Sequence, residues 1–207
     1  MPTIDPTRTA LIAIHLQHDI VGADGAFAPF FRAEVERTGV LDTSARVLTG
    51  ARRAGAKIVY TRVAFQPGHP DLVANSPLLG MVAANNCLVD GTPGAALVES
   101  AAPAATDAIV THTRITGFHA SALDVVLRAS GIDTVAFAGV ATNISVEGTA
   151  RTASELGYRT IVLSDACSAG SEAAHQASLE SLSLLAEVST ADDFLSALTG
   201  ESEAERA

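Results

Sequence analysis

An α/β fold, with a doubly wound and mostly parallel sheet between two helical layers, is predicted for this chain from three observations. Short continuous apolar runs of strand length alternate with longer stretches whose apolar residues recur at helical spacing. The runs lack polar alternation, which suits strands buried on both faces of a parallel sheet. His15, His112 and Ser145 fall just past the ends of such runs, where sheets of this class hold their ligands.

Taken in order, Ala10 to Ile14 is the first strand and stops at polar HLQHD. Glu34 to Ala54 has helical spacing and ends at Gly55, a good helix stop, before the β-branched strand Lys57 to Val63. From Ala64 to Ala105 the chain is rich in Gly, Pro and Asn (FQPGHPD, NNCLVDGTPG), which predicts a long excursion with short local elements that helps enclose a pocket. Strands follow at Ala108 to Thr111, Thr134 to Ala138 and Thr160 to Leu163, separated by helices at His119 to Ser130 and Thr142 to Leu156. The closing run is a helix at Ser171 to Leu185, a strand at Ala186 to Ser189 and a helix at Ala191 to Leu198. The tail GESEAERA is polar and expected to fray. No repeat is present, and the one biased stretch is SAAPAAT.

The 207 residues suffice for one domain with a sizeable core, and no linker divides them. A formal net charge of −10 argues against nucleic acid and anionic membrane as partners, because most of the surface repels phosphate. A neutral or cationic small-molecule partner fits better, although a local Arg or His can still hold an anion. Two cysteines, Cys87 and Cys167, are too few for a disulfide framework and read as packing residues. The opening MPTIDPTRT lacks a basic region leading into an apolar one, and no run reaches membrane-span length, so a cytoplasmic protein is expected. High Ala content, positive mean hydropathy and the absence of Trp suggest close helix packing and a homo-oligomer, dimer or tetramer.

The segment GVATNISVEGTARTASELGY follows an apolar run and opens a helical pattern. It resembles the nucleophile turn of the isochorismatase-like, or cysteine hydrolase, superfamily, approximately GVxTxxCVxxTaRdAxxxGY. ALIAIHLQHDIV is similar to that family's opening strand ending DxQxDF, RITGFHASALDVVLRASGI to its RySAFxgTxLdxxLrxxgI, and LSDACSAGSEAAHQASLESL to its DAxxxxxxxxHxxaLxxL. The segments keep the family's order and spacing from about residue 9 to 198. The resemblance implies a Rossmann-like three-layer α/β/α domain over residues 1–207 and a hydrolase of small amides, imides, esters or enol ethers. It also implies a cis peptide between Val140 and Ala141 that turns two N–H groups toward the pocket.

By the same resemblance, the family's catalytic Asp, Lys and Cys fall on His15, His112 and Ser145. A carboxylate base and a fixed ammonium are thus replaced by two imidazoles, and the usual cysteine amidase cycle does not carry over. Ser145 can be a nucleophile only if a base takes its proton, and His15 or His112 can be that base. The other role open to Ser145 is to cap or line a helix start. The two histidines either act as acid and base or pack as satisfied polar residues. Ala141 would join Ser145 in an oxyanion hole, while Gln17 and Asp19 match the opening motif and Arg114 and Phe118 the RxxxF piece. These are the candidate substrate-binding residues. Asp19 also suits a turn, and Arg114 either pairs with a substrate carboxylate or forms a salt bridge. His175 matches the family's helix histidine and reads as structural. No metal and no cofactor are expected, since the six histidines lack ligand spacing and Arg62-Val63-Ala64-Phe65-Gln66 stands where the nicotinamidase branch carries Asp-x-His. The alternative to an enzyme is a catalytically altered member that binds a small molecule or regulates.

Overall fold

In the computed structural model, which describes residues 2–200, the sheet has six strands in the order β3-β2-β1-β4-β5-β6. The strands are β1 (Thr9–Ile14), β2 (Lys57–Val63), β3 (Ala108–His112), β4 (Thr134–Val140), β5 (Arg159–Ser168) and β6 (Glu187–Ser189). Every neighbouring pair is parallel. The order reverses between β1 and β4, which leaves a crevice at their carboxyl ends, the general ligand position in such sheets.

The chain alternates faces as strand periodicity requires. Leu11 and Ala13 of β1 enter one core with Phe31, Val47, Leu48 and Phe194; Ala10, Ile12 and Ile14 enter the other with Leu123, Leu127, Ala150 and Leu179. Helices α2 (Ala28–Thr38), α3 (Val40–Ala54) and α8 (Ala191–Thr199) therefore cover the first face, and α5 (Leu123–Ala129), α6 (Glu147–Glu155) and α7 (Glu172–Leu182) the second. Full burial of each such Leu, Ile, Val or Phe side chain contributes about 1.5–3 kcal/mol, and β1 is buried along its whole length.

Three expectations change in detail. The helix read at residues 34–54 is two helices, because Gly39 adopts φ 63 and ends α2 before α3 begins. The helix read at 119–130 starts only at Leu123, since residues 115–122 form turns tied down by Thr116 Oγ1 and Ser121 Oγ. The helix read at 142–156 opens with a π-helical turn, Thr142–Val146, before α6. In the excursion after β2 lie α4 (Pro77–Asn85) and a 3-10 turn at Glu99–Ala101; the short α1 (His18–Val21) follows β1. Apart from Gly200, the polar tail expected to fray lies outside the described residues.

Gly139 stands opposite Ile14 where β1 and β4 meet at the divide. Its φ is +128, and a Cβ placed there would come within 2.1 Å of Ile14 O. Only glycine combines that backbone conformation with that contact.

Candidate active site

His15 directly follows β1, His112 is the last residue of β3, and Ser145 lies in the turn after β4. All three are at the carboxyl edge. His15 has φ 54, a left-handed conformation uncommon outside glycine, and is fixed by its N–H to Thr61 O (3.1 Å) and by the Gln17 N–H to its own carbonyl (2.8 Å). This bend carries the side chain across β2 to His112. The two Nε2 atoms are 3.0 Å apart, with the rings stacked at 5.0 Å between centroids.

Hydrogen-bond logic settles the proton positions. His112 Nδ1 lies 2.8 Å from Arg114 O, and a carbonyl only accepts, so Nδ1 bears the proton. Burial pushes the His112 imidazole down to about 4, so the ring is neutral near pH 7 and its Nε2 is a lone pair. His15 Nε2 must then donate to it. Burial, and secondarily the neighbouring His112, hold His15 well below the usual histidine range. His15 Nδ1 is left as a lone pair with no partner among the described residues.

A cavity of about 50 Å³ opens beside His15. Its polar lining comes from His15, Arg114 and Ser145, and its greasy wall includes Phe27, Phe31, Leu79 and Val82. His112 stands behind His15 and does not line it. The Val140–Ala141 peptide is cis, as the resemblance implies, and both residues line the cavity. The Ala141 N–H has no acceptor among the described residues. Neither does Ser145 Oγ form a hydrogen bond there, to a histidine or to anything else; only the Ser145 carbonyl is engaged, by Thr149 Oγ1 at 2.6 Å.

The turn itself is held from below. Ala141 O accepts from both Ile144 N and Val146 N at 3.1 Å, Thr142 Oγ1 meets His175 Nδ1 at 2.8 Å, and Ser178 Oγ bonds Thr142 O and Glu147 Oε2. His175 is thus a brace for the turn. Thr142, Thr149 and Ser178 escaped the sequence reading, because a hydroxyl that braces a turn has no distinctive spacing. Phe27 and Phe31 escaped it too, although FAPFF is a dense aromatic group in a chain with seven Phe.

Two expected substrate contacts, Gln17 and Phe118, are corrected, and Asp19 takes the turn role also read for it. Gln17 is fully buried, donates to Val63 O and Ala95 O, and accepts from Val63 N, so its amide is used up in holding the excursion against β2. Asp19 accepts from Leu88 N at 2.7 Å and faces Gly94, where a Cβ would meet its carboxylate at 2.3 Å, so it organises the loop. Phe118 packs on Tyr158, 6.1 Å between ring centroids, away from the cavity. Cys87 and Cys167 are buried, and burial raises their thiols to about 11 and about 12, which suits packing rather than nucleophilic roles. Among the described residues no group of three or more His, Cys, Asp or Glu is placed to hold a metal ion, and no helix is long and apolar enough to cross a membrane.

The isochorismatase domain matches residues 9–193 of this chain. The ureidoacrylate amidohydrolase RutB of Methylobacterium radiotolerans is 32% identical over 193 residues, covering 86% of this chain and 74% of that protein. A cysteine hydrolase from Pseudomonas syringae pv. phaseolicola superposes with a TM-score of 0.85 at 27% identity, over 98% of this chain and 97% of that one. An N-carbamoylsarcosine amidase from Thermoplasma acidophilum gives a TM-score of 0.73 at 25% identity, over 89% and 97% of the two chains. Domain match, sequence relatives and sheet order agree: this chain belongs to the isochorismatase family of hydrolases.

Proposed function

We propose that the chain hydrolyses a small molecule in the cavity shared by His15 and Ser145, first an amide or imide and otherwise an ester, with an enol ether as the alternative that needs no nucleophile. The observation that carries this reading is the chain His15 Nε2 to His112 Nε2, then His112 Nδ1 to Arg114 O, which leaves a lone pair on His15 Nδ1. One relative named as an amidohydrolase and one named as an amidase favour the amide bond.

In this reading Ser145 Oγ attacks the carbonyl carbon while its proton passes to His15 Nδ1. The oxyanion that forms is met by the Ala141 and Ser145 N–H groups. Collapse expels the leaving group with the proton held by His15, and water, deprotonated by the same nitrogen, releases the acid and frees Ser145. His112 takes the orienting place that a carboxylate has in other triads, since it selects the His15 tautomer. It adds no negative charge, so the imidazolium gains from delocalisation alone: as Nδ1 of His15 is protonated, its Nε2–H can pass to His112. The replacement of the family's Asp, Lys and Cys by His15, His112 and Ser145 belongs to this proposal. So do a single domain over residues 1–207, a cytoplasmic location, a homo-oligomeric state and a cycle that needs no cofactor.

A second reading, a binding or regulatory protein that has lost hydrolysis, is favoured by the absence of a Ser145 Oγ to histidine hydrogen bond among the described residues. Turnover of a panel of small amides, imides, esters and enol ethers, with Ser145→Ala and His15→Ala beside the wild type, separates the two. Loss in both variants supports the covalent route. Loss with His15→Ala alone supports acid-base catalysis on water, and binding without turnover by any protein supports the second reading.

A further inference from the structure

The cavity beside His15 is apolar as well as small. Of the side chains that line it only those of His15, Arg114 and Ser145 are polar, and every other one is aliphatic or phenyl. His15 and Ser145 belong to the reacting end. Arg114 is engaged at both terminal nitrogens, Nη1 donating to Val73 O at 3.1 Å and Nη2 to Asn75 Oδ1 at 3.0 Å, so it ties down the stretch that leads into α4. Away from the reacting end the side chains of the wall therefore offer a ligand contact and no hydrogen bond.

Two separate stretches of sequence supply that wall. Phe27 precedes α2 and Phe31 lies within it, their ring centroids 6.4 Å apart. Leu78, Leu79 and Val82 come from α4, whose nine residues include no charged side chain, and their spacing puts them on one face of the helix. Ser76 fixes the start of that helix, its Oγ accepting from Leu79 N at 3.3 Å. The volume enclosed is about 50 Å³, a third of the roughly 150 Å³ in which a benzene ring is taken up. It suits a short branched chain rather than a ring. A hydroxyl or carboxylate set against these side chains would give up its bonds to water without replacement, whereas each methylene laid there tightens binding about fourfold. The net charge of −10 adds to the discrimination against an anion.

We propose that the ligand carries a short, uncharged aliphatic group beside the reacting bond, seated against Phe27, Phe31, Leu78, Leu79 and Val82. The site thereby selects small aliphatic amides over polar, anionic and aromatic ones. That the group adjoins a bond to be cleaved rests on the hydrolase reading, whereas the seat itself is tested by binding alone.

The test is titration of wild type, Val82→Thr and Leu78→Ala with acetamide, isobutyramide, lactamide, benzamide and succinamate, followed in the backbone amide NMR spectrum. Wild type is expected to bind isobutyramide at least about tenfold tighter than acetamide, from two added methyl groups, and at least about tenfold tighter than lactamide, which has a hydroxyl in place of one methyl. Benzamide and succinamate are expected to bind more weakly than isobutyramide. Val82→Thr keeps the shape of the wall and adds a hydroxyl, so it should cut the preference for isobutyramide over lactamide about threefold or more. Leu78 is half-buried, so Leu78→Ala removes ligand contact at little cost to the fold and should weaken isobutyramide more than acetamide; it decides the matter if Val82→Thr does not fold. Lactamide, succinamate or benzamide binding as tightly as isobutyramide overturns the proposal, as do equal affinities across the series, binding of none, or wild-type preferences kept in every variant that folds. Isobutyramide bound while no amide is hydrolysed leaves the seat standing and removes the hydrolase reading. Turnover of polar amides alone does the reverse.

Discussion

Replacing His112 by Gln tests the buried imidazole pair through stability rather than activity. His112 is 2% exposed and titrates at about 4 in the folded protein, against about 6.5 in an unfolded chain. Above about pH 6.5 both states hold the ring neutral, and its contribution is complete. As pH falls from there the unfolded chain takes up a proton that the folded protein refuses, so stability is lost down to about pH 4. The shift of roughly 2.5 units corresponds to about 3 kcal/mol, a sizeable part of the 5–15 kcal/mol typical of a folded domain. His15 pushes in the same direction. Glutamine keeps a polar group for His15 Nε2 and cannot titrate. Urea unfolding free energies between about pH 5 and 6.5 should therefore rise with pH less steeply in His112→Gln than in wild type, by up to about 1.4 kcal/mol per pH unit. His175, also lowered by burial, contributes to both proteins and cancels in the difference. Glu172, held below the ordinary carboxylate range by Gln176 and Arg37, and Glu187, held there by Arg159, titrate below the window. Parallel slopes would mean that His112 is protonated in the folded protein with an ordinary affinity, and the neutral relay would be wrong.

The activity itself should rise with pH only at its acid end: protonation of His15 removes the base, and its depressed value puts that limb well below 6.5, leaving kcat/KM flat around neutrality. On the covalent route Ser145→Ala should lower kcat by about a thousandfold or more with substrate affinity nearly intact, and single-turnover assays would read this. Gly139→Ala should be among the most damaging substitutions in the fold, costing more than about 3 kcal/mol, because its Cβ meets Ile14 O at 2.1 Å in a backbone conformation that disfavours side chains. A melting temperature within about 2 °C of wild type would contradict this account. His175→Ala should cost about 1–3 kcal/mol by leaving Thr142 Oγ1 unpaired, measurable by urea unfolding.

The sheet was legible because its strands are unbroken apolar runs, and no other burial suits TALIAI or TVAFAGV in a chain with alternating helices. The positions of His15, His112 and Ser145 at one edge were legible for the same reason, since strand polarity places every carboxyl end together. The break at Gly39 was harder to see: the apolar spacing runs through it, and a single positive φ interrupts the helix without interrupting the pattern. Motif matching could not separate Gln17, whose amide closes three backbone bonds, from a residue facing the cavity, because both are polar groups beside the same strand end. Tautomers are equally invisible in sequence. They follow from a carbonyl, Arg114 O, whose position depends on how the chain turns after β3.

The reversal of strand order between β1 and β4 also divides the site by chain half. His15, His112 and Arg114 arrive with β1 to β3, whereas Ala141, Ser145 and the bracing His175 arrive with β4 to β6. The halves join in the sheet along one pair of strands, from Thr9 beside Thr134 to Ile14 beside Gly139. On the proposed mechanism, proton handling and acyl acceptance are therefore carried by separate chain halves, joined through the α5 connection. The seam sets the condition for bringing them together: glycine must stand opposite Ile14, since any side chain there would prise apart the two strands that join the halves.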